Sequence, residues 1–298
     1  MTNKPDRTVT VRTDTARTDT ARTATAGSRT AALAFRALHV PGHPLVLPNA
    51  WDTVSALLVE QAGARAVATT SGGVAWDLGT ADGDRLDRTR AVAAVGRIAA
   101  AVRVPVTADI ETGYADDARG VGDTVRAVLA AGAVGVNIED ALPGGGALRP
   151  VAEQAERIAA ARAAADTAGV PLFVNARIDT CLSGTGGVAE TAERAAAFLA
   201  AGADGVFVPG AVDPGDIKAL CDGVDGPLNV MVDHSTELSV AELAALGVAR
   251  VSTGTGLAQA AHAAVRRAAR ELLDTGTYRA PAGAIDYGEL NALLDGGR

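Results

Sequence analysis

From Leu45 onward the sequence repeats one unit: a short apolar run, a polar loop, then a helical stretch that stops just ahead of the next run. The runs fall at 45–48, 66–69, 106–109, 135–139, 172–176, 205–208, 229–232 and 250–252. Continuous apolar runs, unlike alternating ones, mark strands buried on both faces, the condition of a parallel sheet covered by helices. Ala-Gly-Ala turns at 62–64, 131–133 and 201–203 put glycine where a helix must end in left-handed backbone. Eight strand and helix pairs in about 230 residues fit a closed (β/α)8 TIM barrel better than an open doubly wound sheet. A further helix predicted over 31–38 precedes the first strand, where it can cover the barrel floor.

The core of such a barrel must be built from small side chains, because aromatics supply only 3% of a chain that is 48% hydrophobic. The formal charge of -8 argues against nucleic acid, which selects clustered Lys and Arg. No apolar run approaches the roughly 20 residues that span a bilayer. Cys181 and Cys221 have neither disulfide-scaffold nor metal-motif spacing. A cytoplasmic setting is expected. Residues 1–30 contain repeated Arg-Thr units opened by Arg12, Arg17 and Arg22 and almost nothing apolar, so a disordered tail is expected there, with residues 31–298 forming one barrel domain.

Barrel chemistry gathers where the strands end, and three strands in succession end in polar residues. Alternation along a strand puts Asp109 and Glu111 on one face, Asn137 and Glu139 on one face, and Asn175 and Arg177 on one face. Carboxylates converging from neighbouring strands repel unless a cation neutralises them. Mg2+ suits that task, with Mn2+ as a substitute: Asp109 is the direct ligand, and Glu111 and Glu139 hold metal-bound waters. Arg177 offers a planar fork to a carboxylate or phosphonate. Asn49, at the end of the first strand, is a candidate partner for a substrate oxygen. His234, after the seventh, is either a general acid or a loop histidine bonded to backbone. Acidic residues in these places also serve as helix caps, and Asp140 and Asp179 are read that way. Cys181 is read as structural, and Trp51 as packing against a helix.

The segments Val-Thr-Ala-Asp-Ile-Glu-Thr-Gly-Tyr at 106–114, Gly-Val-Asn-Ile-Glu-Asp at 135–140 and Asn-Ala-Arg-Ile-Asp at 175–179 resemble the isocitrate lyase and phosphoenolpyruvate mutase superfamily. Leu-Pro-Asn-Ala-Trp-Asp at 47–52 and Thr-Ser-Gly-Gly at 70–73 resemble it too, so the similarity spans roughly residues 31–275. The resemblance implies the same roles for Asp109, Glu111, Glu139 and Arg177. It adds Ser71, Gly72 and Gly73 as the loop that holds the substrate's carboxylate and oxo oxygen, and Asp82 as the aspartate of a mobile gating loop. It implies chelation of a small 2-oxo or 2-hydroxy carboxylate and bond making or breaking through an enolate. It also implies a long C-terminal helix exchanged between protomers, hence a homodimer or homotetramer.

This chain departs from the superfamily's lyases after the fourth strand. Residues 141–150 read Ala-Leu-Pro-Gly-Gly-Gly-Ala-Leu-Arg-Pro, without the Lys, Cys and His of the isocitrate lyase loop and without the Lys and Asn-Ser of the phosphonate enzymes. Thr255 stands where a decarboxylase of the superfamily has His. Three functions therefore remain open: a Mg2+-dependent lyase or hydrolase acting on a carbon-carbon bond, a phosphonomutase-like enzyme acting on a carbon-phosphorus bond, and a non-catalytic oxo-acid binder.

Overall fold

The computed structural model describes residues 26–143 and 146–295. Most of the expected disordered tail, residues 1–25, lies outside them. The strands are β1 (Leu45–Leu47), β2 (Asn49–Ala50), β3 (Val67–Thr69), β4 (Val106–Asp109), β5 (Gly135–Glu139), β6 (Phe173–Arg177), β7 (Gly205–Val208), β8 (Leu228–Met231) and β9 (Arg250–Ser252). Among the described residues the helices are α1 (26–37), α2 (Thr53–Gln61), α3 (Ser71–Asp77), α4 (Arg88–Ala101), α5 (Ala118–Ala130) and α6 (Val151–Thr167). They continue with α7 (Thr180–Ser183), α8 (Val188–Ala200), α9 (Pro214–Gly223), α10 (Val240–Leu246), α11 (Gly256–Thr275) and α12 (Tyr287–Leu294). Residues 26–30, read from sequence as tail, are the opening of α1.

All strand pairs are parallel, in the order β1-β9-β8-β7-β6-β5-β4-β3-β2. The two ends of that order are one extended segment interrupted at Pro48, with β1 pairing to β9 and β2 pairing to β3. The expected barrel is therefore present, and its first strand bridges the seam. Pro48 has no N–H to give there. Asn49 takes over with its side chain. Its Oδ1 accepts from the N–H groups of Thr253 at 2.9 Å and Gly254 at 3.0 Å, and its Nδ2 donates to the Thr69 carbonyl at 2.9 Å.

Apolar packing follows the small-residue composition. Ala, Val, Leu and Ile from β4 to β9 and from the inner faces of α5, α6 and α8 make one continuous core. Helix starts are set locally, by Asp52 on α2, Asp87 on α4, Asp117 on α5 and Ser239 on α10, each side chain accepting from a first-turn amide, while Glu242 accepts from the Ser239 N–H in return. The floor is closed as expected by α1, whose Phe35 is fully buried edge-on to Phe173, centroids 5.7 Å apart, while His39 stacks on Phe173 at 3.9 Å. Gly135, opening β5, makes this plug possible: a Cβ there would stand 2.7 Å from Phe35 Cε1.

Helix α11 is different from the others. It buries only Ala258, and Val265, Leu272 and Leu273 along it are exposed. None of the described helices is long and apolar enough to cross a membrane.

Asn49→Ala should lower stability by about 2–4 kcal/mol, because it strands two backbone N–H groups and a carbonyl at the seam. Urea unfolding with an unchanged slope and a lower midpoint is the expected result; an unchanged midpoint would show that the side chain is not needed to close the barrel.

Candidate active site

The C-terminal rim holds two adjoining cavities. The inner one, about 150 Å³, is lined by residues that include Asn49, Ser71, Asp82, Asp109, Asn137 and Arg177. The outer one, about 370 Å³, lies between the 82–85 loop, residues 141–143 and 146–148, and α7, and its walls include Asp82, Glu139, Arg177 and Asp179. Asp82 and Arg177 belong to both, so they stand at the passage between them.

Asp109 ends β4 and lines the inner cavity. Its backbone N–H is fixed by Thr69 Oγ1 at 2.9 Å, and its Oδ1 accepts from the Glu111 N–H at 3.0 Å. Burial pushes its carboxyl up to about 6, against the pull of Arg177.

Glu111 corrects the alternation argument. The strand stops at Asp109, and Glu111 adopts a left-handed φ of 51°, so strand alternation no longer sets its side chain, which is not among the residues lining either cavity. The carboxylate is nonetheless buried, and its Oε2 accepts from the backbone N–H of Gly83, at 3.1 Å, and of Asp84. Glu111 thus ties the 82–85 loop to the end of β4. Its Oε1 has no partner. Burial pushes its carboxyl to about 7, with the Asp84 N–H opposing and nearby carboxylates adding. With the loop docked, Asp82 lies over Gly72, where a Cβ would come within 3.0 Å of Asp82 Oδ2. The first turn of α3 is equally close to its surroundings, since a Cβ on Gly73 would meet Trp51 Cβ at 2.7 Å. Ser71 heads this turn and lines the inner cavity.

Arg177 is more heavily engaged than sequence indicated. Its Nη1 pairs with Glu139 Oε2 at 2.7 Å, while Nε and Nη2 make a two-pronged contact with Asp179 at 2.7 and 2.8 Å. Burial works against its charge, but Glu139 and Asp179 outweigh that and hold its pKa above the ordinary value. Glu139 is raised well above the ordinary carboxylate range by burial, despite Arg177. Asp179, read from sequence as a cap, makes no capping bond on α7 and is instead the clamp on Arg177. The clamp is itself held: Asp140, fully buried, accepts from the Asp179 N–H at 2.9 Å and from Arg194 Nη1 at 3.2 Å. The i, i+2 spacing of Arg177 and Asp179 was the signal that could have found it.

Two further expectations change. Asn175 sits deeper than Arg177, lines neither cavity and donates to Asn137 Oδ1 at 2.9 Å, so it supports a wall residue and does not face a ligand. His234 stands exposed in a turn organised by Asp233 and lines neither cavity, so the general-acid reading has no geometry behind it. Asn49 reaches the inner cavity, but its oxygen is committed to the seam. Sequence reading missed Arg250 altogether. It is fully buried inside the barrel, with Nε and Nη1 unpartnered, and burial lowers its pKa to about 9. An arginine opening a buried strand was the available sign.

The profile of the phosphoenolpyruvate phosphomutase family matches residues 35–273. The chain is 38% identical to an uncharacterized Mycobacterium tuberculosis protein over 88% of its own length and 96% of the relative's. It is 34% identical to the 2,3-dimethylmalate lyase of Eubacterium barkeri over 68% of this chain and 72% of that one. Among solved structures, phosphonopyruvate hydrolase complexed with oxalate and Mg2+ superposes with a TM-score of 0.79 at 28% identity, covering 90% of this chain and 95% of that one. Barrel and rim thus define an enzyme class that includes lyases, hydrolases and phosphomutases. This chain belongs to the phosphoenolpyruvate phosphomutase family, within the isocitrate lyase and phosphoenolpyruvate mutase superfamily.

The raised Glu111 carboxyl gives a pH dependence of known sign. The fold favours the protonated acid, so this contribution to stability is full below the ordinary value of 4.5 and is lost as pH rises through about 7. Without divalent ions, wild type should lose on the order of 2–3 kcal/mol more than Glu111→Gln between pH 4.5 and 8. Parallel urea titrations would check this, and identical pH profiles would refute it.

Proposed function

We propose that the protein is a Mg2+-dependent lyase or hydrolase that cleaves or forms a carbon-carbon bond next to the 2-oxo or 2-hydroxy carboxylate of a small substrate. The observation that carries this reading is the meeting of Asp109, Ser71, Asn137 and Arg177 in one small cavity, beneath a loop that Glu111 latches shut.

Among the described residues no three His, Cys, Asp or Glu side chains are grouped to enclose a metal ion. That fits Mg2+, which keeps several waters and takes one or two carboxylates directly. Asp109 would hold it, with Glu139 and Glu111 on its waters; the orphaned, buried Oε1 of Glu111 is an oxygen still in need of a donor. Mn2+ accepts the same hard oxygen set. When bound, the ion polarises the oxo oxygen and neutralises enolate charge.

The protein groups divide the remaining work. Arg177, held rigid by Glu139 and Asp179, keeps part of its donor capacity for the substrate's anionic end. Ser71 donates from the first turn of α3. The docked loop excludes water, and Asp82 stands at the passage where it can give or take a proton at the reacting carbon. Carbon-phosphorus chemistry has less support, because Arg177 is already paired twice and Arg85 is the other cation lining the outer cavity among the described residues. The exposed apolar side of α11 supports a homodimer or homotetramer built by helix exchange.

Incubation with Mg2+ and a panel of 2-oxo and 2-hydroxy acids, read by pyruvate or carboxylate release, should reveal turnover that EDTA abolishes. Asp109→Ala should lower kcat/KM by about 10²–10³-fold or more while leaving thermal unfolding nearly unchanged. Mg2+ affinity equal in Asp109→Ala and wild type would refute the metal assignment; tight oxalate binding with no turnover across the panel would favour a non-catalytic binder.

A further inference from the structure

The barrel interior directly below the inner cavity holds an arginine with no carboxylate in contact. Arg250 opens β9, is fully buried, and makes one hydrogen bond among the described residues, from Nη2 to Asn137 Oδ1 at 3.4 Å. The same oxygen accepts from Asn175 Nδ2 at 2.9 Å. An arginine can only donate, so the Asn137 atom facing it must be the oxygen, which settles an amide orientation that is otherwise free to flip. The consequence lies at the other end of the amide. Asn137 lines the inner cavity, and its Nδ2 has no protein partner among the described residues and is not one of the sealed, orphaned atoms.

We infer that Arg250 is a positioning residue for ligand binding: from beneath the cavity it fixes Asn137 as a hydrogen-bond donor, so that the site accepts an anionic or carbonyl oxygen there and rejects a donor. This rests on the oxo-acid reading of the cavity and adds a polarity to one wall. Asn175 contributes to the same end, since its amide occupies the second lone pair of Asn137 Oδ1. Without Arg250 one constraint on the amide is gone, and a flipped Asn137 would turn its oxygen toward the substrate's own oxygen.

The test measures oxalate binding by calorimetry in Mg2+ for Arg250→Met, Asn137→Ala and the double variant. Each single variant should bind about tenfold more weakly, the size of one hydrogen bond. The double variant should be no weaker than Asn137→Ala alone, because Arg250 acts through Asn137; a residue that merely supported the fold would give additive losses. Arg250→Met should melt no lower than wild type, since it removes a buried cation lacking a partner. Should that variant fail to fold, Asn137→Asp gives the answer by itself. It is isosteric, gains an ion pair with Arg250, and has no amide to present, so it should stay folded and lose oxalate binding by tenfold or more. Oxalate binding at wild-type strength in Arg250→Met or Asn137→Asp, or additive losses in the double variant, would overturn this inference and leave the oxo-acid reading intact. Absence of oxalate binding by wild type in Mg2+ would overturn both.

Discussion

An eight-stranded parallel barrel must fill its own interior with every second residue of each strand, and here that interior is largely polar. Asn137, Asn175, Asn229, Arg250 and Ser252 are all buried, and Asn229 and Ser252 bond to each other across β8 and β9. Buried amides demand partners, so each fixes its neighbour. The chemistry at the rim stands on this layer. Below it, Phe35, His39 and Phe173 form an apolar plug; above it, Asp109, Glu139 and Arg177 meet the cavities. The barrel therefore grades from oily floor to charged mouth within the length of a strand.

Charge at the mouth is managed by pairing and by protonation together. Glu139 and Asp179 share Arg177, Asp140 shares Arg194, and Glu111 borrows the amides of a loop. Acids outnumber the cations facing them, and burial raises Asp109, Glu111, Glu139 and Asp140 alike. Like charge and burial act together on these carboxylates, and each is pushed toward its protonated form. The bridge between Ala141 and Leu148 joins the same arrangement, because Arg194 also donates to the Arg149 carbonyl at 3.0 Å just beyond it.

The strands were legible because a buried parallel strand leaves a continuous apolar run, and glycine turns delimit the helices between runs. Asp109 and Arg177 were legible because they end such runs within a motif of known kin. Glu111 was read by alternation, which holds only while the chain stays extended, and a left-handed non-glycine residue carries no sign in the sequence. Asn175 was placed one level too high, since a strand pattern tells which side chains point inward but not how deep the cavity reaches. The double engagement of Arg177 and the isolation of Arg250 depend on which strands become neighbours around the ring. His234 shows the converse, a residue whose chemistry suits a site that the loop does not bring it to.

Glu111 grips the 82–85 loop by main-chain N–H groups alone. The exposed side chain at 85 is therefore free to change character without loosening it, provided the left-handed turn at Gly83 and Asp84 is kept. On the proposed oxo-acid reading, closing and choosing fall to separate parts of the same short segment. A scaffold arranged in that way can acquire a new preference by replacing a few loop side chains while its ability to seal the mouth is inherited unchanged, which gives a physical route by which one barrel diversifies into many activities.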